Sequence, residues 1–230
     1  MPTIPTATRQ WVLKEKPREL PVLEGENATF RLSTVDLPAL QPSQVLVKTL
    51  YLSNDPAQRG WISADADPER LYVPPLQVGE PMASFGVGEV IKSTSESFPP
   101  GKLVLTRTDR AEYSVQNVAD CHPADPLPGL RPTHWMGSFG LPGLTAYYGM
   151  VEIVSATKDD TVVVSGAAGA TGSMAVQIAK KLLGCKRVCT FILVHIFHDQ
   201  LCSPFLDRSL GLQAPQRNVS GLKAWEQTCV

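Results

Sequence analysis

Short runs rich in Val, Leu, Tyr and Thr, broken by Pro, Gly and Asp, fill the chain from Gln10 to Val118. Such runs predict strands at Trp11–Lys14, Thr29–Thr34, Val45–Leu52, Gly86–Ser93, Leu103–Thr106 and Glu112–Val115. Their spacing predicts a compact antiparallel barrel or sandwich. The strand ending at Ser53 runs into Asn54-Asp55-Pro56, a turn signal that sets polar side chains beside a strand end. Residues 121–132 carry four prolines and read as a surface connection.

Beyond that connection the period changes. Residues 141–154 open on Pro and Gly and continue as a helical apolar stripe. Thr161–Ser165 is a β-branched run, the mark of a buried strand. Ser173–Leu183 is helical, with Met174, Ile178 and Leu182 on one face and Ala175 and Ala179 beside them. Gly184 is placed to stop that helix, and Lys186–Val194 reads as a second strand. Strand, glycine-rich loop, helix and strand make half of a doubly wound parallel unit. The fold class is therefore α/β plus β: a β domain over 1–132, a partial nucleotide-binding domain over 133–194 and a divergent tail over 195–230.

The loop between strand and helix is Gly166-Ala167-Ala168-Gly169-Ala170-Thr171-Gly172. It fits the dinucleotide fingerprint G-x-G-x-x-G with Ala167 in the first slot and Gly169 and Gly172 in the others. A missing Cβ at Gly169 lets the backbone approach a pyrophosphate, and Gly172 lets the helix pack closely. The helix N-terminus offers free amides and partial positive charge to the anion. Gly166, Ala168, Gly169, Ala170, Thr171 and Gly172 are the candidate cofactor-binding residues. The fingerprint next asks for an acid about 20 residues on, to hold a ribose hydroxyl. Cys189 and Thr190 stand there instead, and Lys186 and Arg187 come too early for a 2′-phosphate. These residues do not choose between NAD and NADP.

Composition narrows the function classes. The 230 residues carry 21 Lys+Arg against 22 Asp+Glu, so there is no basic excess to bind nucleic acid. The N-terminus lacks a charged segment followed by an apolar core, and the apolar run Val188–Phe197 is too short to span a bilayer. No membrane association is expected. Five cysteines without a C-x-x-C pair suggest reduced thiols, hence a cytoplasmic protein, and the sequons at Asn27 and Asn218 read as chance matches. Residues 1–120 contain neither Cys nor His, so a zinc site there would lack its usual donors. His195, His198 and Asp199 on an apolar run do not read as a metal site, and no G-x-S-x-G marks a hydrolase.

Three stretches together resemble one family: residues 52–60 (LSNDPAQRG), 140–149 (GLPGLTAYYG) and 165–180 (SGAAGATGSMAVQIAK). The chain is similar over residues 9–188 to the medium-chain dehydrogenase/reductases. Within them it resembles the zinc-independent NADP-dependent alkenal and enone double-bond reductases, the branch of the prostaglandin reductases. The resemblance implies a GroES-like antiparallel β-barrel followed by a Rossmann domain, incomplete here, with NADP(H) as cofactor and no metal. It implies hydride transfer to an α,β-unsaturated carbonyl or related small carbonyl substrate. Asn54 and Thr145 are the implied catalytic residues, Asn54 in a loop facing the nicotinamide end and Thr145 beside the nicotinamide. The match stops abruptly: where the family continues to a Gly-Ser turn and a Lys for the 2′-phosphate, this chain reads Cys189-Thr-Phe-Ile-Leu-Val194. The expectation is a truncated chain that binds NADPH weakly, turns over poorly or not at all and leaves apolar strand edges uncovered, favouring aggregation or a homodimer. The alternative is a truncated, non-catalytic nucleotide-binding or interaction protein.

Other residues near these motifs have plainer expected roles. Tyr51 is expected in the core. Arg59 and Trp61 are expected to make a surface ion pair and a satellite apolar contact. At least one of Tyr147 and Tyr148 is expected to pack, and Lys180 and Lys181 to sit at a solvated helix end.

Overall fold

The computed structural model describes residues 4–71 and 73–191, the last of these in its backbone alone. The expected end of the second strand at Val194 and the tail over 195–230 lie outside the described residues. The chain forms two compact units that divide between Met136 and Gly137.

In the first unit, β1 (Ala7–Leu13) pairs antiparallel with β2 (Phe30–Asp36). The larger sheet contains β3 (Gln44–Leu52), β4 (Phe85–Ser93), β5 (Leu103–Arg107), β6 (Tyr113–Asn117) and the short β7 (His122–Pro123). Its order is β6-β3-β4-β5-β7, antiparallel throughout. Among the described residues these strands do not close into one ladder. Isolated bridges, Gln10 with Ala111 and Val12 with Pro81, stitch β1 to the segments beside the larger sheet. Register irregularities between Leu46 and Val47 and between Thr49 and Tyr51 interrupt the β3–β4 pairing, a device that bends and twists a sheet.

Two apolar clusters hold this unit. Val45, Val47, Val90, Phe98, Val104 and Cys121 pack together inside the larger sheet. Leu13, Trp61, Ile62, Leu76, Met82 and Ala83 form the second. Trp61 belongs to α1 (Ala57–Trp61), a short helix that follows the Asn-Asp-Pro turn. Trp61 is thus a core anchor, not a satellite contact, because the helix swings its indole inward. Tyr51 is the opposite case: it is 45% exposed, so its expected core position is corrected. It lies in β3 beyond the second irregularity, where Leu50, Tyr51 and Leu52 are all exposed.

The second unit contains α2 (Leu141–Tyr147), β8 (Thr161–Ser165), α3 (Ala170–Gln177) and β9 (Arg187–Phe191). Strands β8 and β9 run parallel, with Thr161 opposite Arg187 and Ser165 opposite Phe191. Both helices widen into π-helical turns at their ends, over Tyr148–Ile153 and Ile178–Leu182. Ala146 and Met150 pack with Ile178, Ala179, Cys185 and Val188 in a common core. The π-turn explains a departure on the α3 face. Leu183 bonds back five residues to Ile178, which adds a residue to the turn. Leu182 is thereby rotated out and left exposed, while Leu183 packs on the core. Gly184, at φ +66°, ends the helix as its position in the sequence suggests. Before β8, Asp160 accepts from the Thr157 amide (2.7 Å) and hydroxyl (2.8 Å). Those bonds, the backbone one foremost, hold its carboxyl below the usual range.

Candidate functional site

The glycine loop leaves the carboxyl end of β8. Gly166 adopts φ +62°, a conformation that favours glycine, and its carbonyl accepts from the Gly169 amide at 2.9 Å. Gly169 is the N-cap of α3, and its carbonyl takes the first helical bond from Ser173 at 2.9 Å. Gly172 is fixed by close approach. A Cβ there would lie 2.3 Å from the Gly166 oxygen and 2.9 Å from the Ala167 Cα. At Gly169 the corresponding contact, again with the Gly166 oxygen, is 3.2 Å. Gly172 therefore packs the helix against its own loop. Gly166, Ala168, Gly169, Ala170 and Thr171 are all exposed.

This loop fits a pyrophosphate. The first amides of α3 have no intrahelical acceptor, no side chain caps them and no acidic residue stands in the first turn. β9 supplies no acid at its described end, and Arg187 pairs with Thr161 at the far end of the strand from the loop.

In α2, Thr145 donates its hydroxyl to the Leu141 carbonyl at 2.7 Å. This bond to the preceding turn replaces the capping role open to a threonine near a helix start. The oxygen keeps its acceptor capacity, and the residue is exposed. The α2 start is built on contact: a Cβ at Gly143 would fall 1.9 Å from the Ser138 oxygen. Tyr147 and Tyr148 are both exposed, correcting the expected packing of at least one. Ala146 and Met150 take the inward face instead. Lys180 and Lys181 are exposed in the last turn after α3.

In the first unit, Asn54 is exposed at the end of β3. Its Oδ1 accepts from Arg110 Nη2 at 2.8 Å, and the same nitrogen donates to Gln58 Oε1 at 3.0 Å. Gln58, buried in α1, gives its amide protons to the Ser53 carbonyl (3.1 Å) and Ser84 Oγ (3.3 Å). Ser84, fully buried, donates back to the Ser53 carbonyl at 2.9 Å. Ser53 Oγ in turn donates to Asp55 Oδ1 at 2.9 Å. Arg59 donates to the carbonyls of Arg18 and Glu19, so it bonds to backbone where an ion pair was expected. Beside Arg110, burial pushes the Asp109 carboxyl up, against the opposing pull of Arg107.

Arg110 and Ser84 lie outside the three motif stretches, and Gln58 lies inside the first without having been singled out. Arg110 is 56 residues from Asn54 and meets it through tertiary packing alone. Among the described residues no group of three or more His, Cys, Asp or Glu is arranged to hold a metal. His195, His198 and Asp199 lie outside the described residues. Among the described residues no helix is long and apolar enough to cross a membrane.

An antiparallel β unit followed by a parallel β-α-β unit, with a glycine turn at the end of its first strand, has the element order of a β domain joined to a nucleotide-binding α/β domain. Residues 9–124 match the N-terminal domain of oxidoreductase. Prostaglandin reductase 1 of Bos taurus is 35% identical over 187 residues, 79% of this chain and 51% of its own length. The NADPH-dependent curcumin reductase of Escherichia coli is 34% identical over 180 residues, 78% of this chain and 49% of its own. The crystal structure of CurA in complex with NADPH from Vibrio vulnificus aligns with a TM-score of 0.69 at 34% identity, covering 80% of this chain and 51% of that one. The chain belongs to the medium-chain dehydrogenase/reductases. It spans about half the length of the curated relatives it matches.

Proposed function

We propose that this protein reduces the carbon–carbon double bond of an α,β-unsaturated carbonyl compound at the expense of NADPH. The observation that carries the reading is the exposed glycine turn between β8 and α3, with its uncapped amides, in a chain of this family. The first unit corresponds in this reading to a GroES-like domain over residues 1–132, and the second to the start of a Rossmann domain over 133–194.

When bound, NADPH supplies a hydride to the β-carbon. The double-bond pair would shift toward the carbonyl oxygen, and solvent water would supply the α-carbon proton that completes the saturated carbonyl. The residues of this chain bind and orient. The Gly169 to Gly172 backbone receives the pyrophosphate, with Gly166, Ala168, Ala170 and Thr171 shaping the turn. Thr145 Oγ1, its proton committed to Leu141, would accept from the carboxamide of the cofactor. Asn54, in the first unit, is the second proposed catalytic residue. No metal takes part, the cytoplasm is the setting, and a homodimer is the proposed assembly.

Gly169→Val is the test. The branched side chain occupies the approach of the pyrophosphate, and affinity for NADPH should fall about tenfold or more, about 1.4 kcal/mol. Fluorescence titration reads the affinity, and circular dichroism checks that the fold persists. Equal binding by the variant and the parent would refute the phosphate-cradle reading.

A further inference from the structure

We propose that Arg110 is a positioning residue that locks the Asn54 carboxamide with its NH2 group outward, making Asn54 a hydrogen-bond donor to the carbonyl oxygen of the substrate. This rests on the reductase reading given above. The lock follows from donor and acceptor inventory. A guanidinium has donors and no acceptor, so the atom of Asn54 that faces Arg110 at 2.8 Å must be the carbonyl oxygen. The amide nitrogen then points away from Arg110, on an exposed residue at a strand end. The Gln58 amide is oriented by the same logic. Its nitrogen faces the Ser53 carbonyl, a pure acceptor, which leaves its oxygen for the same Arg110 nitrogen at 3.0 Å.

The backbone of Arg110 is held on both sides. Its amide donates to the Met82 carbonyl at 2.8 Å, and its carbonyl accepts from Trp11 at 2.9 Å. The Gln58 and Ser84 side chains behind it are buried and bonded. A cation against Oδ1 also polarises the carboxamide, strengthening its N–H donors as negative charge gathers on the substrate oxygen. Leu52 and Phe85, which flank Ser53 on β3 and β4, are exposed apolar side chains suited to the hydrocarbon part of an enone.

The experiment joins side-chain amide NMR to kinetics, on the full chain with Arg110→Met, Arg110→Lys and Asn54→Asp. In the parent, the two Asn54 NH2 protons should give a rigid, separated pair that shifts when octan-2-one, a saturated ketone that cannot be reduced at carbon–carbon bonds, is added. Arg110→Met should average that pair and lower kcat for oct-3-en-2-one about tenfold with the KM for NADPH unchanged. Arg110→Lys, which keeps a donor-only cation, should recover part of both. Asn54→Asp should lose the donor, and adding Arg110→Met to it should cost little more. A mobile Asn54 amide in the parent would overturn the proposal without any variant. So would an Asn54 signal unmoved by Arg110→Met or by the ketone. Absence of NADPH-dependent reduction with the amide locked and ketone-responsive would sink the reductase reading and leave the lock standing.

Discussion

At the scale of single residues, Thr145 shows how a backbone bond sets chemistry. With its proton held by the Leu141 carbonyl, the hydroxyl presents lone pairs, and an acceptor is what a carboxamide NH2 needs. Thr145→Val should therefore lower kcat/KM about tenfold, in the range expected for one orienting hydrogen bond, while stability stays within about 0.5 kcal/mol. Thr145→Ser should restore most of the rate. Steady-state kinetics beside thermal melts distinguish the two effects, and an unchanged kcat/KM in Thr145→Val would remove the residue from the site. Asn54 was visible in the sequence because Asn-Asp-Pro after an apolar run is turn chemistry. Its partners were not. Ser84 looks like an ordinary polar residue and Gln58 is one letter of the 52–60 stretch; their burial follows from the fold that brings residues 53, 58, 84 and 110 together.

At the scale of elements, the junction of β8 with α3 is held by contact between helix and loop. A Cβ on Gly172 would overlap the Gly166 oxygen at 2.3 Å, a backbone atom that cannot turn aside. Gly172→Ala should cost about 1–3 kcal/mol, as overpacking does, and Gly169→Ala less, since its contact is 3.2 Å. Urea unfolding followed by circular dichroism measures both; equal midpoints would contradict the close-packing role of Gly172. β8 was legible residue for residue, because a β-branched run between polar ends has one reading. The start of α3 was placed too late, at Ser173 and not Ala170, because Ala-Thr-Gly carries no apolar period and glycine argues for a loop. α1 went unmarked for a related reason: a five-residue helix is too short to show a stripe. The expectation of uncovered apolar positions on the half-sheet has a counterpart in Val163, 47% exposed between half-buried Val162 and buried Val164.

At the scale of the whole molecule, the reaction proposed needs a nucleotide and an oriented carbonyl, and no metal. Residues 1–120 hold no Cys or His to bind zinc softly. Elemental analysis of the purified protein should find no stoichiometric zinc, and any reduction should survive chelation; one tightly bound zinc per chain would contradict this. The expected weak affinity for NADPH concerned residues at and beyond Thr190, most of which lie outside the described ones, so it is best met by experimental design. Protein in excess, saturating cofactor and a mass-spectrometric readout register even slow turnover. The most direct measurement supplies NADPH deuterated at the transferring position, together with oct-3-en-2-one, and locates the label in the product. The account predicts octan-2-one carrying deuterium at its β-carbon, with the ketone intact. Deuterium on the carbonyl carbon of an allylic alcohol, or no labelled product at all, would contradict it.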